Sequence, residues 1–211
     1  MKEIKTVFVD CDGVLYDSSY LTYEQMVEAC RRAGTDLGID WTQAEAIHND
    51  LKAQGIRGLY NTTLALCKQY GVTFKEISER MVTYVDYSLL PQDLELLDLL
   101  KQVSQKRIVS IYTNNTRPHL ERIFKALFNQ TLEQTGIQAI TAESTLWDGY
   151  FHVKEHTNAF TIWCQKLKTL PEETLLLDDT PGVIEAAKKQ GLQTIQTIGS
   201  SQAKEILKGL L

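Results

Sequence analysis

Apolar residues fall along this chain in two rhythms. Thr6-Val7-Phe8-Val9 is an unbroken apolar and β-branched run that stops at Asp10 and, shortly after, Gly13. A run of that kind bounded by a turn signal predicts a buried strand ending at a loop. Arg107-Ile108-Val109-Ser110-Ile111-Tyr112 ends the same way at Thr113-Asn114-Asn115, and Thr174-Leu175-Leu176-Leu177 ends at Asp178-Asp179. Residues 136–140 and 192–195 predict two weaker strands.

The second rhythm is helical. Residues 92–104 carry Leu94, Leu96, Leu97, Leu99 and Leu100, and residues 118–128 place Leu120, Ile123, Phe124 and Leu127 on one face behind Pro118. Proline suits the first turn of a helix. Helical spacing returns over 158–167 and 182–190, the latter closed by Gly191 as a C-cap. Strands alternating with helices from residue 107 onward predict an α/β fold, a doubly wound parallel sheet covered on both faces. Residues 18–90 differ. They show only helical periodicity, around 20–32, 42–53, 60–70 and 74–87, punctuated by Gly34, Gly38, Gly55, Gly58 and Gly71. The division this predicts is a sheet core of 1–17 and 91–211, with 18–90 an all-helical cap inserted over the sheet's carboxyl edge.

Composition narrows the picture. At 211 residues the chain can bury a sizeable core, about 70% of its unfolded surface, without staples. Its formal net charge is −5, which argues against a nucleic-acid polymer as partner, because such binders carry a basic face. A local cation and a lysine can still hold a small anion on an acidic protein. Cys11, Cys30, Cys67 and Cys164 show neither zinc spacing nor a disulfide framework, so free thiols are expected. The chain shows no signal-peptide pattern and no run near the ~18 apolar residues of a membrane span. A cytoplasmic protein is expected.

The chemistry lies where the strands stop. In open α/β sheets ligands bind outside the carboxyl ends of the strands. Asp10 and Asp12 follow the first strand, Thr113 and Asn114 a middle one, and Asp178 and Asp179 a third, with Lys154 between the last two sets. Carboxylates gathered at one place repel each other and invite a hard cation such as Mg2+. Asp10 suits a carboxylate nucleophile. Asp12, on the same side two residues on, suits an acid–base role. Thr113 and Asn114 can donate to phosphoryl oxygens, and Lys154 offers a fixed positive charge. Each piece has a plainer reading: an Asx turn for Asp10–Gly13, a helix cap for 113–116, a cap again for 178–181, a solvated side chain for Lys154. The coincidence of all four at strand ends favours the chemical one.

With those residues in view, Phe8-Val9-Asp10-Cys11-Asp12-Gly13-Val14-Leu15, Tyr112-Thr113-Asn114, Lys154 and Leu177-Asp178-Asp179 resemble the four motifs of the haloacid dehalogenase-like hydrolase superfamily. The resemblance spans the whole chain, helical cap included. A further likeness, to the pyrimidine 5′-nucleotidase branch, rests on Gly55-Ile56-Arg57-Gly58-Leu59, Val85-Asp86-Tyr87-Ser88-Leu89-Leu90, and Val153-Lys154 followed by Phe160. The resemblance implies a Rossmann-like core and a Mg2+-dependent phosphomonoesterase working through an aspartyl-phosphate, on nucleoside 5′-monophosphates or similar small phosphorylated metabolites. Asp10 would be nucleophile and metal ligand, Asp12 acid–base with its carbonyl on the metal, and Thr113 and Lys154 phosphate holders. Asp179 would be the direct third metal ligand and Asp178 its helper.

Three departures accompany the likeness. Val183 stands where the branch often has Asn or Asp, Glu155 where proline is common, and Cys11 between the aspartates reads as a buried small residue. Arg57 and Tyr16 are the candidate substrate contacts from the cap side. His48, His119, His152 and His156 show no ligand spacing and read as helix-cap or surface residues, and Trp41, Trp147 and Trp163 as packing. A sugar-phosphate phosphatase or phosphomutase, or a non-catalytic binding module on the same fold, are the alternative readings.

Overall fold

In the computed structural model, which describes residues 2–156 and 158–211, the chain runs through seventeen labelled elements in this order. They are β1 (Thr6–Val9), α1 (Tyr23–Asp36), α2 (Ala44–Ala53), α3 (Leu59–Tyr70), α4 (Phe74–Met81), α5 (Leu94–Ser104), β2 (Ile108–Tyr112), α6 (Arg117–Phe128), α7 (Leu132–Thr135), β3 (Gln138–Ile140), β4 (Leu146–Trp147), β5 (Tyr150–Phe151), α8 (Ala159–Lys166), β6 (Thr174–Asp178), α9 (Pro181–Lys189), β7 (Gln193–Gln196) and α10 (Gly199–Lys208). The sheet has five strands in the order β3-β2-β1-β6-β7, and every pairing within it is parallel. Chain order reverses across β1, so the crevice between the carboxyl ends of β1 and β6 is the topological switch point.

Period-two alternation decides which residue faces which layer. Val7, Val9, Val109, Ile111, Leu175 and Leu177 point to one face, where α5, α6 and α10 supply Leu97, Leu100, Phe124 and Leu207. Phe8, Tyr112, Ile140 and Leu176 point to the other, against Phe160 and Cys164 of α8 and Ile184 and Ala187 of α9. β1 and β6 are buried along their whole length, as strands covered on both faces must be. The doubly wound core expected from the sequence is therefore present.

Helices α1 to α4 bury their apolar faces mainly on one another. Met26, Ala29, Cys30 and Ala33 of α1 meet Leu66 and Cys67 of α3 and Ile77 and Met81 of α4 in a cluster separate from the two sheet layers. Capping boxes at Thr22–Gln25 and Thr73–Glu76 fix where α1 and α4 begin. The helix expected over 74–87 stops at Met81, and a separate 3-10 turn at Tyr87–Leu89 is capped by the Asp86 carboxylate. That side chain competes with the helix for backbone donors.

The antiparallel β4–β5 pair was not expected from the sequence. Its Asp148-Gly149 turn has positive φ at both positions, 54° and 83°, the residue pair such a tight hairpin prefers. Strands of two residues are too short to show alternation. All four cysteines are buried and free. Among the described residues no helix is long and apolar enough to cross a membrane.

Candidate active site

The parallel ladders run one residue past the strands and thereby set the site. The Asp10 amide donates to the Leu177 carbonyl at 2.9 Å, the Thr113 amide to Ile140 at 3.0 Å, and the Thr197 amide to the Asp178 carbonyl at 2.9 Å. Asp10, Thr113 and Asp178 are thus fixed by backbone pairing at one edge and are all buried. Gly13 closes the turn after β1 with φ +73°, and a β-carbon there would overlap the Asp179 carboxylate. Only glycine permits that backbone and that close approach together.

Lys154, on the loop after β5, is 2% exposed. Its Nζ lies 2.7 Å from Asp10 Oδ1 and 2.6 Å from Asp178 Oδ2, and its amide donates to Asn114 Oδ1 at 3.0 Å. Burial alone would push the ammonium pKa down, but the charges of Asp10 and Asp178 outweigh it and hold the lysine protonated. Burial pushes the Asp10 carboxyl well up, against the pull of Lys154. It also raises Asp179, against the hydroxyl of Thr180.

Carboxylate oxygens of Asp10, Asp178 and Asp179 lie within 4.8 Å of one another. One lysine does not neutralise three acids, and an all-oxygen donor set at this spacing suits a hard divalent cation. Asp178 spends its oxygens locally, Oδ2 on Lys154 and Oδ1 on the Thr180 amide at 2.9 Å. Asp179 is the less engaged of the pair. The residues present therefore fit a divalent ion.

Asp12 is outside that cluster. Its carboxylate accepts from the Tyr16 hydroxyl and from Asn115 Nδ2, and His119 Nε2 stands 3.7 Å from Oδ1. Burial raises this carboxyl, yet His119, Tyr16 and Lys154 together bring it below the ordinary range. Asn115 in turn accepts from the Tyr60 hydroxyl of α3 at 3.1 Å, so a helical-segment residue touches the group that holds Asp12.

A second tie joins the helical segment to the site. Asn61 of α3 accepts from the Phe151 amide at 2.8 Å and donates to the Phe151 carbonyl at 2.8 Å. Where α3 starts, a β-carbon on Gly58 would come 2.8 Å from Val153 Cγ1. These contacts press α3 onto the strand that leads into Lys154.

A cavity of about 420 Å³ is lined by Asp10, Asp12, Thr113, Asn114, Lys154 and Asp179, and from the helical segment by Leu21, Met26, Arg57 and Tyr60. The residues expected at the site therefore meet in one place, with two revisions. Tyr16, expected to touch substrate, is 2% exposed and packs in the sheet-side core with its hydroxyl on Asp12; it does not line the cavity. His119, expected at the surface or in a cap, is wholly buried behind Asp12. Helical phase put it there: His119 leads the apolar face that continues through Ile123.

Asn115 was legible only as a helix-capping residue in sequence and holds Asp12 in space. Arg57 is exposed on the cavity wall. Glu155 and Val183 also line the cavity, and Val183 offers no oxygen toward the acids. Trp41 and Trp163 pack as expected, while Trp147 stacks on His152 at 4.2 Å between ring centroids.

A doubly wound parallel sheet gathers three carboxylates and a buried lysine at its switch point, an arrangement that can hold a divalent ion. The haloacid dehalogenase-like hydrolase family matches residues 4–191, and the chain belongs to that family. No curated protein matches the chain. Among solved structures it is similar to CbbY from Rhodobacter sphaeroides in complex with phosphate, at 17% identity, covering 92% of this chain and 88% of that one, TM-score 0.59. A variant of the same CbbY in complex with xylulose 1,5-bisphosphate matches at 17% identity, 92% and 88% coverage, TM-score 0.58. A haloacid dehalogenase family enzyme from Bacteroides thetaiotaomicron, a magnesium complex, matches at 20% identity, 94% and 95% coverage, TM-score 0.55. At these identities the likeness speaks for the fold.

Proposed function

We propose that the protein is a Mg2+-dependent phosphomonoesterase that hydrolyses small phosphorylated metabolites through a phospho-aspartate on Asp10, with residues 18–90 as the cap over the site. The observation that carries this reading is the clustering of Asp10, Asp178 and Asp179 oxygens within 4.8 Å of one another, with the buried Lys154 ammonium paired to Asp10 and Asp178. Phosphoryl transfer asks the protein mainly for positioning and charge neutralisation, and this set supplies both.

Mg2+, held by Asp10, Asp179 and the Asp12 carbonyl with Asp178 behind, would neutralise charge on the phosphoryl oxygens. Lys154 fixes the Asp10 carboxylate and faces the phosphoryl group beside it. Thr113 and Asn114 donate to phosphoryl oxygens. An Asp10 oxygen forms the new bond to phosphorus as the bond to the ester oxygen breaks, and Asp12 passes its proton to that oxygen. Water then attacks the phospho-aspartate, gives its proton to Asp12, and the bond from Asp10 to phosphorus breaks to free inorganic phosphate. The donors around Asp12 favour its ionised form, the form the second step needs. To act first as an acid it must be released from at least one of them.

Arg57, the single arginine among the described residues lining the cavity, stands with Leu21, Met26 and Tyr60 and suits a leaving group with both an apolar face and a polar or anionic edge. Nucleoside 5′-monophosphates fit that description, and so do sugar phosphates, with the CbbY ligand as the precedent for the second. A panel of monophosphates scored by free phosphate tests the reading. Uridine and cytidine monophosphate leading the panel supports the nucleotide assignment, and sugar phosphates leading replaces it. Phosphate moving between substrate positions with little release identifies a mutase. Asp10→Asn retaining wild-type turnover, or full activity in excess chelator, ends the mechanism.

A further inference from the structure

Tyr87 and His119 lie behind Asp12, and neither lines the cavity. His119 sits in the first turn of α6, wholly buried. Its Nδ1 is 2.7 Å from the Tyr87 hydroxyl, and its Nε2 has no hydrogen-bond partner among the described residues but lies 3.7 Å from Asp12 Oδ1. Tyr87 belongs to the 3-10 turn through which the chain returns from the helical segment to the sheet core. The rings of Tyr87 and His119 also pack on each other, centroids 5.4 Å apart.

The pair fixes a proton's place. Burial and the charge of Asp12 push the Tyr87 phenol up, so it keeps its hydrogen and can donate to Nδ1. A neutral His119 then carries its hydrogen on Nε2, and a charged one carries it there as well. The remaining tautomer would turn a lone pair toward a carboxylate, with no hydrogen bond to Nε2 among the described residues to repay it. A buried donor with a carboxylate just beyond hydrogen-bond range is a restraint on that carboxylate: as Asp12 leaves Tyr16 or Asn115, Nε2–H is the next donor it meets.

We propose that Tyr87 and His119 form a positioning pair that presents an Nε2–H donor to Asp12 and holds its carboxylate in register with the leaving-group oxygen. This rests on the phosphomonoesterase reading, in which Asp12 is the acid–base group. His119 touches no substrate, so its effect comes through Asp12 alone.

The test compares esters that need an acid with one that does not. For each ester kcat/KM reports the steps through departure of the leaving group. An alkyl phosphate needs Asp12's proton on its leaving oxygen, whereas p-nitrophenyl phosphate does not. General acid–base help amounts to about 10²–10⁴-fold, so loss of its positioning should lower kcat/KM for the alkyl ester by about tenfold or more. In His119→Leu and Tyr87→Phe that loss should spare p-nitrophenyl phosphate. His119→Gln, whose amide can stand near Nε2, should recover much of it, and His119→Asn, which reaches only as far as Nδ1, should not. Equal losses on both esters, or no loss on either, overturn the proposal. Wild-type turnover of both esters, abolished by Asp10→Asn, tells a failure of the pair from a failure of the phosphatase reading.

A second arm needs no turnover. Imidazole 15N signals of the folded, metal-supplemented protein should show Nε2 of His119 protonated, and Tyr87→Phe should admit the Nδ1–H form. An unprotonated Nε2 in the wild type overturns the proposal whatever the kinetics.

Discussion

Lys154 Nζ lies 2.7 Å from Asp10 Oδ1 at a site where the lysine is 2% exposed. The same ammonium is 2.6 Å from Asp178 Oδ2, so one cation holds the candidate nucleophile and its neighbour together inside the protein. Burying charges is costly unless they are paired, and removing one partner leaves the other uncompensated.

Lys154→Met should therefore destabilise the metal-free protein by about 3–5 kcal/mol, the range for breaking a buried pair. It should also abolish phosphate release. Urea unfolding in chelator measures the first and a phosphate assay the second. Adding Asp178→Asn should restore part of the stability and none of the turnover, because Asp178 serves Lys154 while Asp10 still lacks its charge partner. A single mutant as stable as wild type would mean that Lys154 is free to leave the acids.

Gly13→Ala tests the turn that brings Asp179 to the cluster. Its φ of +73° and the overlap of a β-carbon with the Asp179 carboxylate act together. Left-handed backbone costs a non-glycine residue about 1–2 kcal/mol, and the displaced carboxylate should weaken Mg2+ by about tenfold or more, as loss of a ligand's support does. Thermal melts and calorimetric Mg2+ titration separate the two effects. Unchanged metal affinity would remove Asp179 from the ligand set.

Asn115→Leu removes the amide that donates to Asp12 Oδ2. Donors to an ionised carboxylate lower its pKa, so their removal raises it. The acid limb of kcat, which reports the form able to take water's proton, should then move to higher pH. A pH–rate profile decides this. A limb that stays in place would assign it to a group other than Asp12.

The doubly wound core was legible because its strands are long apolar runs that each end in a polar turn, and because helical spacing in α5, α6 and α9 is strong. Asp10, Asp12, Thr113 and Asp179 could be chosen for the same reason: strand ends are where the fold opens. Lys154 follows no strand that the sequence showed, and only its place between two of those ends and its likeness to a family motif marked it. What sequence could not show was who faces whom. His119 looked like one polar residue in an amphipathic helix, and its partner Tyr87 is 32 positions away. Asn61 and Phe151, 90 positions apart, pin α3 to the core by side-chain to backbone bonds that carry no periodic signal. β4–β5 is too short for alternation, and only Asp148-Gly149 marked it. α10 did carry a pattern, Ala203 and Leu207 on its buried face, but its Gly199-Ser200-Ser201 start reads as a loop.

Metal and proton should compete at the acid cluster, and the sign follows from the raised carboxyls. Burial lifts Asp10 and Asp179 above their ordinary values, so the folded, metal-free protein binds protons there more tightly than the unfolded chain. Stability from that difference is complete below the unfolded value of about 3.9 and is lost as pH rises through the raised folded values. Mg2+ needs the ionised acids, so its affinity and its stabilisation, RT ln(1 + [Mg2+]/Kd), should grow over the same interval. Melting curves from pH 5 to 8 with millimolar Mg2+ and with chelator should diverge as pH rises, the chelated protein falling behind. Asp179→Asn should flatten the divergence by removing a ligand and a titrating group at once. Parallel curves in the wild type would place the metal, or the raised carboxyls, elsewhere.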